Sequence, residues 1–200
     1  FTNWTLYLPA NFSVTAGVGV SNMSIKLDDR LWASANNHPG NTKLKTYQTE
    51  YNNLVSPSAS LLKKFSNKVS AYVSYSVAYK APVASNILIS TTGQLNTELK
   101  PEKGIQIEMG TKGNLMSGRL YYNIAVFNTK YENKFTTHTV QNPSNTATLY
   151  SYITNGGSLN NTGIEALVSY MIPVDNGKII KSLKPFANIT VSDFKYENFQ

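Results

Sequence analysis

Between Leu99 and Phe135 the chain alternates apolar and polar residues through two long segments, separated by the turn sequence Asn114-Leu115-Met116-Ser117. Ile105, Ile107 and Met109 share one parity, and Gln106, Glu108, Gly110 and Lys112 share the other. Beyond the turn, Leu120, Tyr122, Ile124 and Val126 alternate with Arg119, Tyr121, Asn123 and Ala125. A period of two predicts extended strands with one apolar and one polar face. These strands exceed the usual length in a globular sheet. Their length suits a tilted crossing of a bilayer.

The same spacing predicts strands over Phe1–Leu8, Phe12–Leu27, Asn53–Phe65, Lys68–Lys80, Pro101–Gly113, Gly118–Phe135, Leu149–Ile172 and Leu183–Tyr196. The seventh is too long to run uninterrupted, so Gly156-Gly157 and Asn160-Asn161 are expected to bend or bulge it. The connectors sort by length. Leu8–Asn11, Ser66-Asn67 and Asn114–Ser117 are tight, whereas Asp28–Asn52 is long and polar, Ala81–Lys100 is long, and Thr136–Thr148 is long and rich in Asn, Thr and Ser; Pro173–Ser182 is intermediate. In an up-and-down meander, alternate connectors lie at opposite ends, so one end carries turns and the other long loops. Membrane barrels sort their connectors in this way.

Parity also assigns faces. On Lys68–Lys80, Val69, Ala71, Val73, Tyr75, Val77 and Tyr79 oppose Ser70, Tyr72, Ser74, Ser76 and Lys80. Alternation alone leaves open which way the apolar face points, because a soluble sandwich buries it and a membrane barrel shows it to lipid. Strand length and connector asymmetry favour lipid. The fold class expected is therefore an all-β, antiparallel, up-and-down transmembrane barrel, with residues 1–200 one partial barrel domain. No apolar run is long enough for a membrane helix. The chain starts inside a predicted strand and stops without a closing element, which reads as an internal piece of a larger barrel.

Composition narrows the functional classes. There is no cysteine, which excludes disulfides, thiolate catalysis and iron–sulfur ligation. The net charge is +7, but the lysines are scattered and form no arginine-rich stripe, so nucleic acid is not an expected partner. Tyrosines outnumber tryptophans 13 to 2, which suits strands and interfacial belts.

Signals for catalysis are weak. His38 and His138 fall in different long loops without a second ligand at metal spacing. Gly17-Val18-Gly19-Val20 lacks the third glycine and following helix of a dinucleotide loop. Asp28-Asp29 and Asp175-Asn176-Gly177 lack an EF-hand ligand series. No nucleophile elbow or P-loop is present. The expectation is no enzyme, no catalytic residue, no metal site and no cofactor. Candidate polar wall residues are Gln106, Glu108, Lys112, Arg119 and Glu165, whose charges a barrel interior must pair. Candidate ligand contacts in the loops are the rings of Trp32, His38, Tyr47, Tyr51, Tyr150 and Tyr152; interfacial anchoring explains such residues equally well.

Several of these stretches also resemble a known family. Leu99-Lys100-Pro101-Glu102, then Glu108-Met109-Gly110-Thr111-Lys112-Gly113 and Ala125-Val126-Phe127, resemble the mid-barrel signature of TonB-dependent outer-membrane receptors of the ferric-siderophore type. Tyr72–Pro82 is similar to the family's strand ending in Tyr-Lys-x-Pro, and Asn155-Gly156-Gly157 with Gly163-Ile164-Glu165 is similar to its later strand entry. The resemblance implies a barrel of about 22 strands around an N-terminal plug domain, of which neither plug nor C-terminal strand is present here. It further implies energised import of a ferric siderophore or similar large nutrient, driven by the TonB–ExbB–ExbD complex through the plug. The protein would then sit in the cell outer membrane, against lipid and lipopolysaccharide. An importer of glycan or peptide, a passive porin and a soluble β-rich adhesin are the alternatives.

Overall fold

The computed structural model describes residues 1–28, 46–89, 91–92, 94–174 and 182–197. Their strands are β1 (Thr2–Leu8), β2 (Phe12–Asp28), β3 (Thr46–Lys64), β4 (Val69–Lys80), β5 (Leu88–Ile89), β6 (Gln94–Leu95), β7 (Glu102–Leu115), β8 (Leu120–Glu132), β9 (Phe135–Gln141), β10 (Thr148–Asn155), β11 (Ser158–Tyr170), β12 (Ile172–Pro173), β13 (Ser182–Leu183) and β14 (Phe186–Glu197). A one-turn helix, α1, covers Ala84–Ile87. Eight strands form one antiparallel sheet in the order β1-β2-β3-β4-β7-β8-β11-β14, so every main strand neighbours the next in sequence. The remaining strands form three small hairpins: β5–β6, β9–β10 and β12–β13.

Register turns the alternation into rings. Leu6, Val14, Leu61, Val73, Met109, Val126, Ile164 and Val191 pair across all eight strands in one row. Of these, Leu61, Val73, Met109, Val126, Ile164 and Val191 are exposed on the isolated sheet. An exposed apolar band of this width is an aggregation hazard in water and a solvated surface in lipid. On the same face the band ends in polar groups. Asn128 donates to Asn160 at 2.8 Å and to Thr162 at 2.7 Å, and Lys103 and Lys130 pair with Glu132 at 3.5 and 3.6 Å. Those charges mark where hydrocarbon gives way to water.

Above that level the apolar residues of β2 and β3 move to the inner face. On β2 the apolar positions run Val14, Ala16, Val18, Val20 and then shift to Ile25 and Leu27, of the opposite parity. On β3 the shift is made by a bulge. Ser21 pairs with Leu54 but Met23 pairs with Tyr51, leaving an extra residue at Asn52-Asn53. Asn53 takes φ 58°, and its N–H donates to the Asn22 side chain at 2.7 Å. A one-residue insertion moves every later side chain to the other face. Tyr51 and Tyr47 therefore turn to the inner side with Ile25, while Val55 and Pro57 face lipid.

The tight connectors lie where expected, at Pro9–Asn11, around Ser66 and at Met116–Gly118. Ala10 and Asn11 both have positive φ, as hairpin turns matching the right-handed strand twist require. Three boundaries differ from the sequence reading. β3 starts at Thr46 rather than Asn53, because the bulge carries the ladder through a stretch that looks like loop. The connector Thr136–Thr148 is not all loop: residues up to Gln141 form β9, which pairs with β10 in a hairpin, and Gly157 at φ 78° separates that hairpin from β11. The break at Gly156-Gly157 is as expected, but Asn160-Asn161 sits in an unbroken ladder with both neighbours.

Candidate functional site

The face opposite the lipid band is polar. Thr5, Thr15, Ser60, Ser74, Glu108, Phe127, Gly163 and Ser192 form one row, and Asn3, Gly17, Ser58, Ser76, Gln106, Thr129, Asn161 and Phe194 form the next. Glu108 is held at both oxygens. Oε1 accepts from the Tyr72 hydroxyl at 2.5 Å, and Oε2 from the Gln106 amide at 3.0 Å. The Tyr72 ring covers Gly110 so closely that an added Cβ there would sit 2.8 Å from it. Only glycine allows that approach. Lys112 lies 5.8 Å from the same ring and lines a pocket of about 220 Å³ with Ser60, Leu62, Tyr72 and Asn123.

Glu165 is exposed on the same face of β11, in register with Ala125 and Thr190. Arg119 is placed differently from the sequence reading. It caps the Met116–Gly118 turn before β8 begins, and its carbonyl accepts from the Met171 N–H at 2.7 Å. The side-chain oxygens of Asn123 and Asn161 are buried on this wall without a hydrogen-bond partner among the described residues. Such atoms are costly unless water or a further polar surface meets them.

At the end opposite the tight turns, the connectors converge. Ile25, Ile87 and Leu99 are buried together, and Leu27, Tyr47, Tyr51, Leu95, Phe135 and Ile153 pack around them. These residues come from the β2–β3 hairpin, the β4–β7 connector and the β9–β10 hairpin. Tyr51 donates its hydroxyl to the Leu99 carbonyl at 3.0 Å. Burial pushes its pKa up, with neighbouring Tyr47 adding to the shift and the Thr49 hydrogen bond opposing it. Trp32 and His38 lie outside the described residues. Tyr150 and Tyr152 stand on β10, with Tyr152 against the His138 ring at 5.2 Å and against Tyr150 at 6.3 Å. They occupy the hairpin face opposite Phe135 and Ile153, as strand alternation requires.

Below this cluster sits Glu102, the first residue of β7, nearly fully buried. Its carboxylate accepts from the Phe135 N–H at 2.6 Å and pairs with Lys134 at 3.1 Å and Lys80 at 3.4 Å. Burial alone would raise its pKa; the Phe135 N–H and the two ammonium groups outweigh that and hold the carboxyl below its ordinary value. The sequence reading quoted Glu102 and Asn155 only as parts of family motifs and missed their tying contacts and the apolar cluster. The available signals were the parity shift on β2 and the apolar Ile87, Leu88, Ile89 and Leu95 inside a connector read only as long.

A polar inner wall, a lipid band and outward connectors now have counterparts among known proteins. Residues 1–198 match the family described as TonB dependent receptor-like, beta-barrel. The catecholate siderophore receptor Fiu of Escherichia coli O6:H1 is 31% identical over 86 residues, 41% of this chain and 11% of that protein. Among solved structures, the copper transporter OprC superposes with a TM-score of 0.66 at 15% identity, covering 98% of this chain and 28% of that one. The ferripyoverdine receptor of the Pseudomonas aeruginosa outer membrane gives 0.63 at 16%, covering 99% and 22%. The FrpB iron transporter of Neisseria meningitidis gives 0.58 at 17%, covering 96% and 25%. The chain thus spans about a tenth of the curated relative and about a quarter of the solved ones. It belongs to the TonB-dependent receptor family of the outer membrane, and its described residues form an eight-stranded part of that family's β-barrel.

Proposed function

We propose that the full-length protein imports a ferric siderophore, with a catecholate as the favoured chelator, and that the TonB–ExbB–ExbD complex supplies the energy through an N-terminal plug. The observation that carries this reading is the 86-residue likeness to a catecholate siderophore receptor. The lumen wall supports it. A polar surface of Ser, Thr, Gln and Glu with orphan amide oxygens at Asn123 and Asn161 suits a hydrated plug or a polar cargo. In this mechanism the wall is passive. Glu108, fixed by Tyr72 and Gln106, presents a set charge to whatever fills the barrel, while Lys112 and Glu165 add exposed charges beside it. The aromatic face of Tyr150, Tyr152 and His138 offers stacking surface to a flat catecholate ligand.

The test is uptake of labelled ferric catecholate by iron-limited cells carrying the full-length receptor, with and without a functional TonB complex. Uptake that requires both receptor and TonB is the expected result. Uptake of a glycan or peptide instead would replace the cargo while keeping the importer. Unselective passage of small solutes without energy would leave only a porin.

A further inference from the structure

Connectors at the rim of a barrel are commonly mobile and independent, because each is anchored only at its own strand ends. The connectors of this chain are tied to one another. Among the described residues, the apolar side chains of the three are packed against one another. The β2–β3 hairpin contributes Ile25, Leu27, Tyr47 and Tyr51; the β4–β7 connector contributes Ile87, Leu95 and Leu99; the β9–β10 hairpin contributes Phe135 and Ile153. Removing any one exposes the faces of the other two.

Polar ties cross the same boundaries and end on main-chain atoms. The Asn96 amide donates to the Ile153 carbonyl at 2.7 Å. Asn155 accepts from the Lys100 N–H at 2.7 Å and donates to the Lys100 and Asn133 carbonyls at 2.9 and 2.8 Å. Tyr51 reaches the Leu99 carbonyl. Bonds to backbone fix the path of the chain rather than one rotamer. Glu102 then joins the cluster to the wall, linking the end of β4 through Lys80 to the foot of the hairpin through Lys134 and Phe135.

We propose that these three connectors form a single canopy, continuous with the barrel wall, rather than three lids that open separately. The parity exchange at the Asn52-Asn53 bulge is the device that builds it. It turns Tyr47 and Tyr51 inward just where the lipid band ends. Any opening for cargo is then a movement of other parts of the ring, or of the canopy as one body.

Hydrogen exchange read by mass spectrometry on the full-length receptor in nanodiscs tests this. In Leu99→Ala, amides of residues 46–51, 84–89 and 135–155 should exchange faster together, by at least about thirtyfold, the lower end for truncating a buried leucine. The lower halves of β7 and β8 should keep wild-type rates. Acceleration confined to residues 84–99 overturns the proposal. Should Leu99→Ala fail to assemble, Tyr51→Phe removes a single hydroxyl and reads the same question. Faster exchange must then reach β9–β10 as well as residues 46–51 and 94–99, and confinement to those two segments overturns it.

Discussion

The hydroxyl of Tyr72 donates to Oε1 of Glu108 at 2.5 Å, diagonally across the β4–β7 ladder, and Gly110 makes room for the ring that carries it. Tyr72→Phe deletes the donor and leaves the ring. The expected cost is about 1 kcal/mol, below the full value of a bond to a charged group because the pair is only half-buried. Gly110→Val displaces the ring as well, so its cost should be larger. Urea unfolding of the full-length barrel from vesicles measures both. Equal stabilities of Tyr72→Phe and wild type would show that Gln106 alone positions Glu108.

Val73 and Ser74 are neighbours on β4 with opposite surroundings. Val73 stands near the middle of the apolar ring between Leu61 and Met109, while Ser74 pairs with Ser60 and Glu108 on the polar wall. Val73→Arg should cost about 2–4 kcal/mol in assembly, the cost of a cation at mid-bilayer on a barrel. Ser74→Arg should be tolerated, since the new guanidinium faces Glu108. Equal folding yields of the two variants in liposomes would reverse the face assignment.

The membrane-spanning part was legible in the sequence because lipid imposes a strict period of two on long strands, and β4, β7 and β8 follow it without interruption. The outer part was not legible for two physical reasons. A bulge at Asn52-Asn53 resets parity, so Tyr47 and Tyr51 look like loop aromatics when they are inward strand residues. Strand β9 is built mainly from Thr, His, Val and Gln, a composition that also describes a loop, and its pairing with β10 depends on tertiary packing of Phe135 and Ile153. Glu102 stood in the Leu99–Glu102 motif, but nothing local marked it as a buried, paired carboxylate. Its partners Lys80 and Lys134 are distant in sequence and meet it only through register.

Glu102 makes the foot of the canopy sensitive to acid. Its folded pKa lies below the ordinary carboxylate value. A depressed carboxylate contributes stability that is fully present above its unfolded pKa of about 4.3 and is lost as pH falls through the lower folded value. Proteolytic protection of residues 134–155 should therefore be constant from neutral pH down to about pH 5 and fall below that. Glu102→Gln should weaken protection at pH 7 by about 1–2 kcal/mol and flatten the acid limb. An unchanged acid limb in the variant would move the titration to another group.

Connector asymmetry fixes an orientation that labelling can read, and residues 1–200 contribute no cysteine of their own. Cysteine placed at Asn142, at the tip of the β9–β10 hairpin, should react with an impermeant maleimide on intact cells. Cysteine at Asn67, in the tight β3–β4 turn, should react only after the outer membrane is opened. The reverse pattern would invert the barrel.

The stretch Asp28–Asn52 reads in the sequence as one long polar loop with candidate ligand contacts, and the structure divides it. Asp28 pairs with Thr46, and residues 46–52 belong to β3, with Tyr47 and Tyr51 packed in the apolar cluster. Deleting the whole stretch should strip the canopy of one wall and lower the melting temperature along with any binding. Replacing only residues 30–44 with a short Gly-Ser linker is a different experiment. The ladder already holds Asp28 beside Thr46, so closing the shorter loop costs little. That replacement removes Trp32 and His38 and should leave thermal stability unchanged. If those rings contact cargo, affinity for ferric catecholate should fall by about tenfold or more, the scale of one aromatic contact at the centre of a site. Unchanged affinity with unchanged stability would clear Trp32 and His38 of a binding role and shift attention to Tyr150 and Tyr152. Those two would then be tested by Tyr150→Ala and Tyr152→Ala, whose side chains lie on the free face of the hairpin and can be removed without opening the cluster beneath.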